Sequence, residues 1–97
     1  MDKKLYLINL YDYYGSLLTD KQQSYFENYY FNDYSLAEIA ENDNVSRNAV
    51  HGQLKIVEEK LNEYEDKLKL YSNGNKIKKL LTKIEEKEIV EKIEELI

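Results

Sequence analysis

Apolar side chains recur near the start of the chain at offsets of three, four and seven. Leu7, Leu10, Tyr11, Tyr14, Leu17 and Leu18 therefore fall on one face when the chain turns by about 100° per residue. This spacing predicts a first helix across residues 7–18. Thr19-Asp20-Lys21-Gln22 then has the form of a capping box, in which the threonine hydroxyl accepts a backbone N–H three residues on and the glutamine reaches back. A second helix starts there, with Tyr25, Phe26, Tyr29 and Tyr30 as its apolar stripe and Asn32-Asp33 at its exit. Ser35-Leu36-Ala37-Glu38 is another capping box, preceded by Tyr34, which is spaced to staple onto Ile39. It opens a short third helix running from Leu36 to about Asn42. The run Asn42-Asp43-Asn44 suits left-handed backbone, and Ser46 is placed to cap a fourth helix beginning at Arg47. Two short capped helices separated by a tight polar turn have the spacing of a helix-turn-helix, and the small Ala40 permits their close crossing.

Beyond that motif the pattern changes period. Val50, Leu54, Val57, Leu61, Tyr64, Leu68 and Tyr71 alternate spacings of four and three, which is a heptad seam along an unusually long fourth helix. Such a seam packs either on the earlier helices of its own chain or on a second copy. The helix is expected to stop at Ser72-Asn73-Gly74-Asn75, where glycine supplies a left-handed cap. A last helix then runs from about Lys76 to the end, with Ile77, Leu80, Leu81 and Ile84 on one face. Ile89, Val90, Ile93, Leu96 and Ile97 lie almost opposite, so a bend or a change of partner is expected around Glu85-Glu86-Lys87-Glu88. The expected organisation is all-α. A helix-turn-helix domain without a wing occupies residues 1–71, with its motif at about 35–56, and a C-terminal helix at 75–97 is available for dimerisation or a partner.

Composition narrows the chemistry. With 97 residues there is room for one core, and no apolar run reaches the roughly 20 residues that span a bilayer, so membrane insertion is not expected. The N-terminus lacks a signal-peptide pattern, which points to the cytoplasm. There is no cysteine and a single histidine, so thiol chemistry, disulfides and multi-histidine metal sites are excluded. No glycine-rich phosphate loop is present, and the paired acids Glu58-Glu59, Glu85-Glu86 and Glu94-Glu95 point apart on helix surfaces. Neither catalysis nor a cofactor is expected.

Nucleic acid is the candidate ligand. Arg47, Asn48, His51 and Lys55 share roughly a quadrant of the fourth helix, away from its seam, and are of the types that pair with guanine, adenine or phosphate. Ser35 and Ser46 stand at helix N-termini, where hydroxyls and free N–H groups meet phosphates. Lys76, Lys78, Lys79 and Lys83 form a second basic cluster, read as a solvated face or as a contact for RNA or an acidic partner. Placed at a helix start, they would oppose the helix dipole. The ten tyrosines are compatible with base stacking, but at helical spacing they fit a core with hydrated hydroxyls better.

Charge pulls the other way. The net charge is −5: residues 1–45 hold three lysines against eight acids, residues 46–60 three basic residues against two acids, and residues 61–97 eight lysines against nine acids. Phosphate neutralisation dominates DNA affinity, so one such motif binds weakly and a homodimer presenting two is expected.

The stretch from Tyr11 to Tyr71 also resembles the YlxM family. The resemblance rests on Leu17-Leu18-Thr19-Asp20-Lys21-Gln22, Tyr29-Tyr30, Asp33 to Ala40, Asn44 to Val50 and Tyr64 to Leu68. More widely, it looks like region 4 of sigma factors. The resemblance implies a small bacterial helix-turn-helix protein with a regulatory role linked to the signal recognition particle. Alternatives are an accessory factor contacting that particle's RNA or GTPase, or a protein-interaction module that uses the motif as scaffold.

Overall fold

The computed structural model describes residues 2–97, which form six α-helices and no strand among the described residues. They are α1 (Lys3–Tyr14), α2 (Asp20–Tyr30), α3 (Leu36–Asp43), α4 (Arg47–Leu68), α5 (Leu70–Leu81) and α6 (Lys87–Glu94), with a 3-10 turn at Gly15–Leu17 after α1. The local start signals operate as their chemistry requires. Thr19 accepts the N–H of Gln22 at 3.2 Å while the Gln22 side chain accepts the N–H of Thr19. Ser35 and Glu38 exchange the same pair of bonds, and Ser46 accepts the N–H of Ala49 at 3.0 Å. Asp33 and Asn44 take positive φ of 56° and 58°, conformations that short polar side chains tolerate.

The long α4 is the shaft on which the other helices pack. Val50 and Leu54 join Tyr25, Ile39 and Ala40 in one buried cluster, which holds α2, α3 and α4 together. Val57 and Leu61 join Leu7, Leu10, Tyr14, Leu18 and Phe26 in a second cluster, which adds α1. The seam from Val50 to Leu61 is thus filled from within the chain. Its last member on α4, Leu68, is half exposed.

The tyrosines are mostly structural. Tyr14 and Tyr25 are buried, and Tyr11 stacks on Phe26 with ring centroids 4.3 Å apart. Three hydroxyls donate to carboxylates: Tyr11 to Glu27, Tyr14 to Glu65 and Tyr30 to Glu58. Several acids of this chain therefore serve the core.

The C-terminal third differs from expectation. α4 ends at Leu68, where Lys69 adopts a left-handed φ of 59°, and α5 begins at once. Gly74 lies inside α5 with ordinary helical geometry, where an added Cβ would meet the Tyr13 hydroxyl at 2.6 Å. Lys69-Leu70 is not a stop signal, and a non-glycine residue in this conformation costs about 1–2 kcal/mol. The cause lies across the chain. Glu65, only 6% exposed, turns its carboxylate onto the start of α5 and accepts the N–H groups of Tyr71 and Ser72, each at 3.0 Å. The Tyr14 hydroxyl donates to Glu65 at 2.5 Å and accepts the Leu70 N–H at 3.1 Å. Three of the N–H groups left open at the start of α5 are thereby satisfied, and the buried carboxylate is held by donors instead of a cation.

The last helix is likewise divided. α5 stops at Leu81 and α6 starts at Lys87, so the break spans 82–86, slightly ahead of the expected position.

Glu65→Ala is expected to cost about 2–3 kcal/mol, because it strands buried donors of α5 and of Tyr14. Urea denaturation followed by circular dichroism measures it, and a loss below about 0.5 kcal/mol, typical of neutral surface changes, rules out this capping role. A second expectation concerns alkaline pH. Burial, reinforced by the carboxylate each one faces, raises the Tyr11, Tyr14 and Tyr30 hydroxyls above the ordinary value of 10.0. The folded state thus holds protons that the unfolded chain releases, so the contribution is complete below pH 10.0 and is lost as pH rises through the raised values. Thermal melts should show a falling midpoint above that pH, with part of the tyrosinate absorbance appearing only on unfolding.

Candidate nucleic-acid interface

The residues singled out on the fourth helix converge on its exposed first turns. Arg47, Asn48 and His51 line a groove with Leu36 of α3. His51 and Lys55 line the adjoining hollow, which is shared with Tyr29, Tyr30, Lys3 and Glu58. Arg47, Asn48, His51 and Lys55 are all exposed, and no ion pair engages Arg47, His51 or Lys55 among the described residues. Their hydrogen-bonding groups are therefore uncommitted, as a surface that reads a groove requires.

Local sequence explains the placement. The Ser46 cap fixes where α4 begins, and Val50 and Leu54 bury the opposite face against α3 and α2. The four polar side chains are left pointing outward from a helix that cannot rotate. Ser35 caps α3 and precedes Leu36, which lines that groove. Both serine oxygens already accept a capping N–H, which leaves each hydroxyl proton as the group free for an outside oxygen.

One neighbour of this surface, Lys3, has no local signal in the sequence. Lys3, at the start of α1, brings its ammonium to 3.4 Å from Glu58 and stands beside Lys55 in the same hollow. Tyr29 is 37% exposed there, while Tyr30 donates to Glu58. Lys3 is 44 residues from Arg47, and no local signal joins them. Glu58, an acid that lines this hollow, is paired with Lys3, which lessens its opposition to a polyanion.

Lys76, Lys78, Lys79 and Lys83 are elsewhere. They lie on α5 and the turn after it, attached to the far end of α4, a helix about 33 Å long by its rise per residue. The expected conflict with a helix dipole does not arise. Because α5 begins at Leu70, Lys78 and Lys79 sit in its last turn, where cations are favoured. All four are exposed and the two clusters do not form one surface.

No cluster of metal-ligating side chains is present among the described residues, and no described helix is long and apolar enough to cross a membrane.

Comparison with known proteins agrees with this architecture. Residues 1–97 match the family UPF0122, described as "Putative helix-turn-helix protein, YlxM / p13 like". A UPF0122 protein of Caldanaerobacter subterraneus subsp. tengcongensis is 48% identical over 85 residues, covering 88% of this chain and 73% of that one. One from Fusobacterium nucleatum subsp. nucleatum is 41% identical over 97 residues, covering 100% of this chain and 94% of that one. One from Lactococcus lactis subsp. cremoris is 56% identical over 64 residues, but there only 66% of this chain and 58% of the relative are covered. An all-helical fold with a capped helix pair at 36–68, matched over its full length by this family, makes the chain a member of the UPF0122, or YlxM-like, helix-turn-helix family.

Proposed function

We propose that this protein is a regulatory DNA-binding protein that acts as a homodimer. The observation that carries the reading is the uncommitted set Arg47, Asn48, His51 and Lys55 on the exposed first turns of a rigidly packed α4. In this reading α4 enters the major groove, Arg47 and Asn48 read base edges, and His51, Lys55 and Lys3 approach phosphates. Ser35 and Ser46 offer their hydroxyl protons to the backbone on either side. The reading needs two copies, because the segment at 46–60 carries only three basic residues against two acids, in a chain of net charge −5. No step of this function requires catalysis, a metal or a cofactor.

In this reading the role belongs to the signal recognition particle pathway, in the cytoplasm, as the resemblance to YlxM proteins implies. A second reading, in which the protein contacts that particle's RNA or GTPase directly, draws on the exposed lysines of α5, none of which is in an ion pair among the described residues.

Fluorescence anisotropy with the protein's own promoter DNA and with signal recognition particle RNA, at two salt concentrations, separates the readings. Saturable promoter binding is expected. Arg47→Ala should weaken it by about 1–3 kcal/mol, and Lys55→Ala should lower the salt slope by about 1. RNA binding without DNA binding shifts the function to the second reading, and binding of neither removes both nucleic acids as ligands.

A further inference from the structure

The C-terminal helices carry opposite charges that do not meet within the chain. Residues 69–84 hold five lysines and no acid, whereas residues 85–97 hold six glutamates against two lysines. A charge of +5 is thus followed immediately by −4. Nonetheless, no lysine of the first block is paired with a glutamate of the second among the described residues. Among the described residues, the ion pair in this region joins Lys92 to Glu88 within α6, at 3.6 Å.

The same region exposes several large apolar side chains, including the two most exposed in the described chain. Leu80 is 61% exposed and Leu96 84%, with Leu70, Ile84 and Ile89 near half. α6 covers part of α5 and α1 only at its end, where Leu96 and Ile97 border a groove with Tyr13, Leu70 and Ile77. Its own stripe of Ile89, Val90, Ile93 and Leu96 has no buried member. Helices with an apolar stripe and uncompensated flanking charge gain by pairing with a surface of opposite sign.

The heptad seam on α4 is no rival for this contact, because Val50, Leu54, Val57 and Leu61 are already buried. Within this chain, the surface that matches a basic, apolar α5 is the acidic, apolar α6. A second copy supplies both at once.

We infer that two copies associate through their C-terminal helices, with α6 of each laid against α5 of the other. The contact is two-fold symmetric, so each lysine–glutamate complementarity occurs twice. Leu80 and Ile84 of one copy then meet Ile89 and Ile93 of its partner, with Lys76 and Lys83 facing Glu85 and Glu94 across the rim. The inference rests on the dimeric DNA-binding reading only in requiring a second copy. It leaves the face of Arg47 to Lys55 uncovered on both.

Charge reversal in the full chain tests it. Lys76→Glu/Lys83→Glu and Glu85→Lys/Glu94→Lys are two double variants made at exposed positions, so circular dichroism should match that of the parent. Sedimentation equilibrium should find the parent dimeric and each variant associating roughly tenfold or more weakly. An equimolar mixture of the two variants should recover the parent's association, with native mass spectrometry reporting the mixed dimer. A monomeric parent, variants that associate as tightly as the parent, or a mixture without recovery would each overturn the inference. Failure of the DNA-binding reading is separately visible: dimers formed in this way that bind no promoter leave the interface standing and remove that function, whereas a promoter-binding dimer whose association the charge variants leave unchanged does the reverse.

Discussion

The Glu65 carboxylate governs how the C-terminal third is attached to the rest. A carboxylate almost removed from water is costly unless its lone pairs are filled, and here the donors are the Tyr14 hydroxyl and the N–H groups of Tyr71 and Ser72. The same contact satisfies both sides, because the start of a helix is rich in open N–H groups and partial positive charge. It joins α1 to the end of α4 and to the beginning of α5, and so accounts for the left-handed Lys69 between them. Without it, α4 would have no reason to end at Leu68.

That junction separates two kinds of surface. Above it, α4 is buried on successive turns against α3, α2 and α1, which leaves the motif rigid and its polar quadrant outward. Below it, α5 and α6 carry apolar stripes that the single chain covers only in part. A core that consumes its heptad seam internally cannot also use it for association.

The charge distribution gains a physical reading from the packing. The chain is acidic, but Glu27, Glu58 and Glu65 are engaged by tyrosine hydroxyls, and Glu58 also by Lys3. The neutral hydroxyls position these carboxylates without cancelling their charge, and among the described residues only Glu58 of the three has a cation, Lys3, to offset it. The lysines of α5 depend on where their helix begins. Read as the start of a helix they look misplaced, whereas in the last turn of α5 they sit where the dipole favours them.

The sequence by itself determined what depends on neighbours three or four residues apart. Thr19 with Gln22, Ser35 with Glu38, and Ser46 each fix a helix start through bonds that the chain makes locally, and the periodic Leu and Tyr positions fix the buried faces. The all-helical class, the capped helix pair and the outward quadrant of Arg47, Asn48, His51 and Lys55 follow from these. The tertiary structure decided what depends on residues far apart. Gly74 looked like a stop, yet the stop fell at Lys69, since the cap comes from a Tyr14–Glu65 contact spanning 51 residues. Lys3 joined the candidate interface because α1 packs along α4. The seam proved internal because enough apolar surface from α1, α2 and α3 was there to fill it. Periodicity shows that a face will be buried, but only the packed chain shows what buries it.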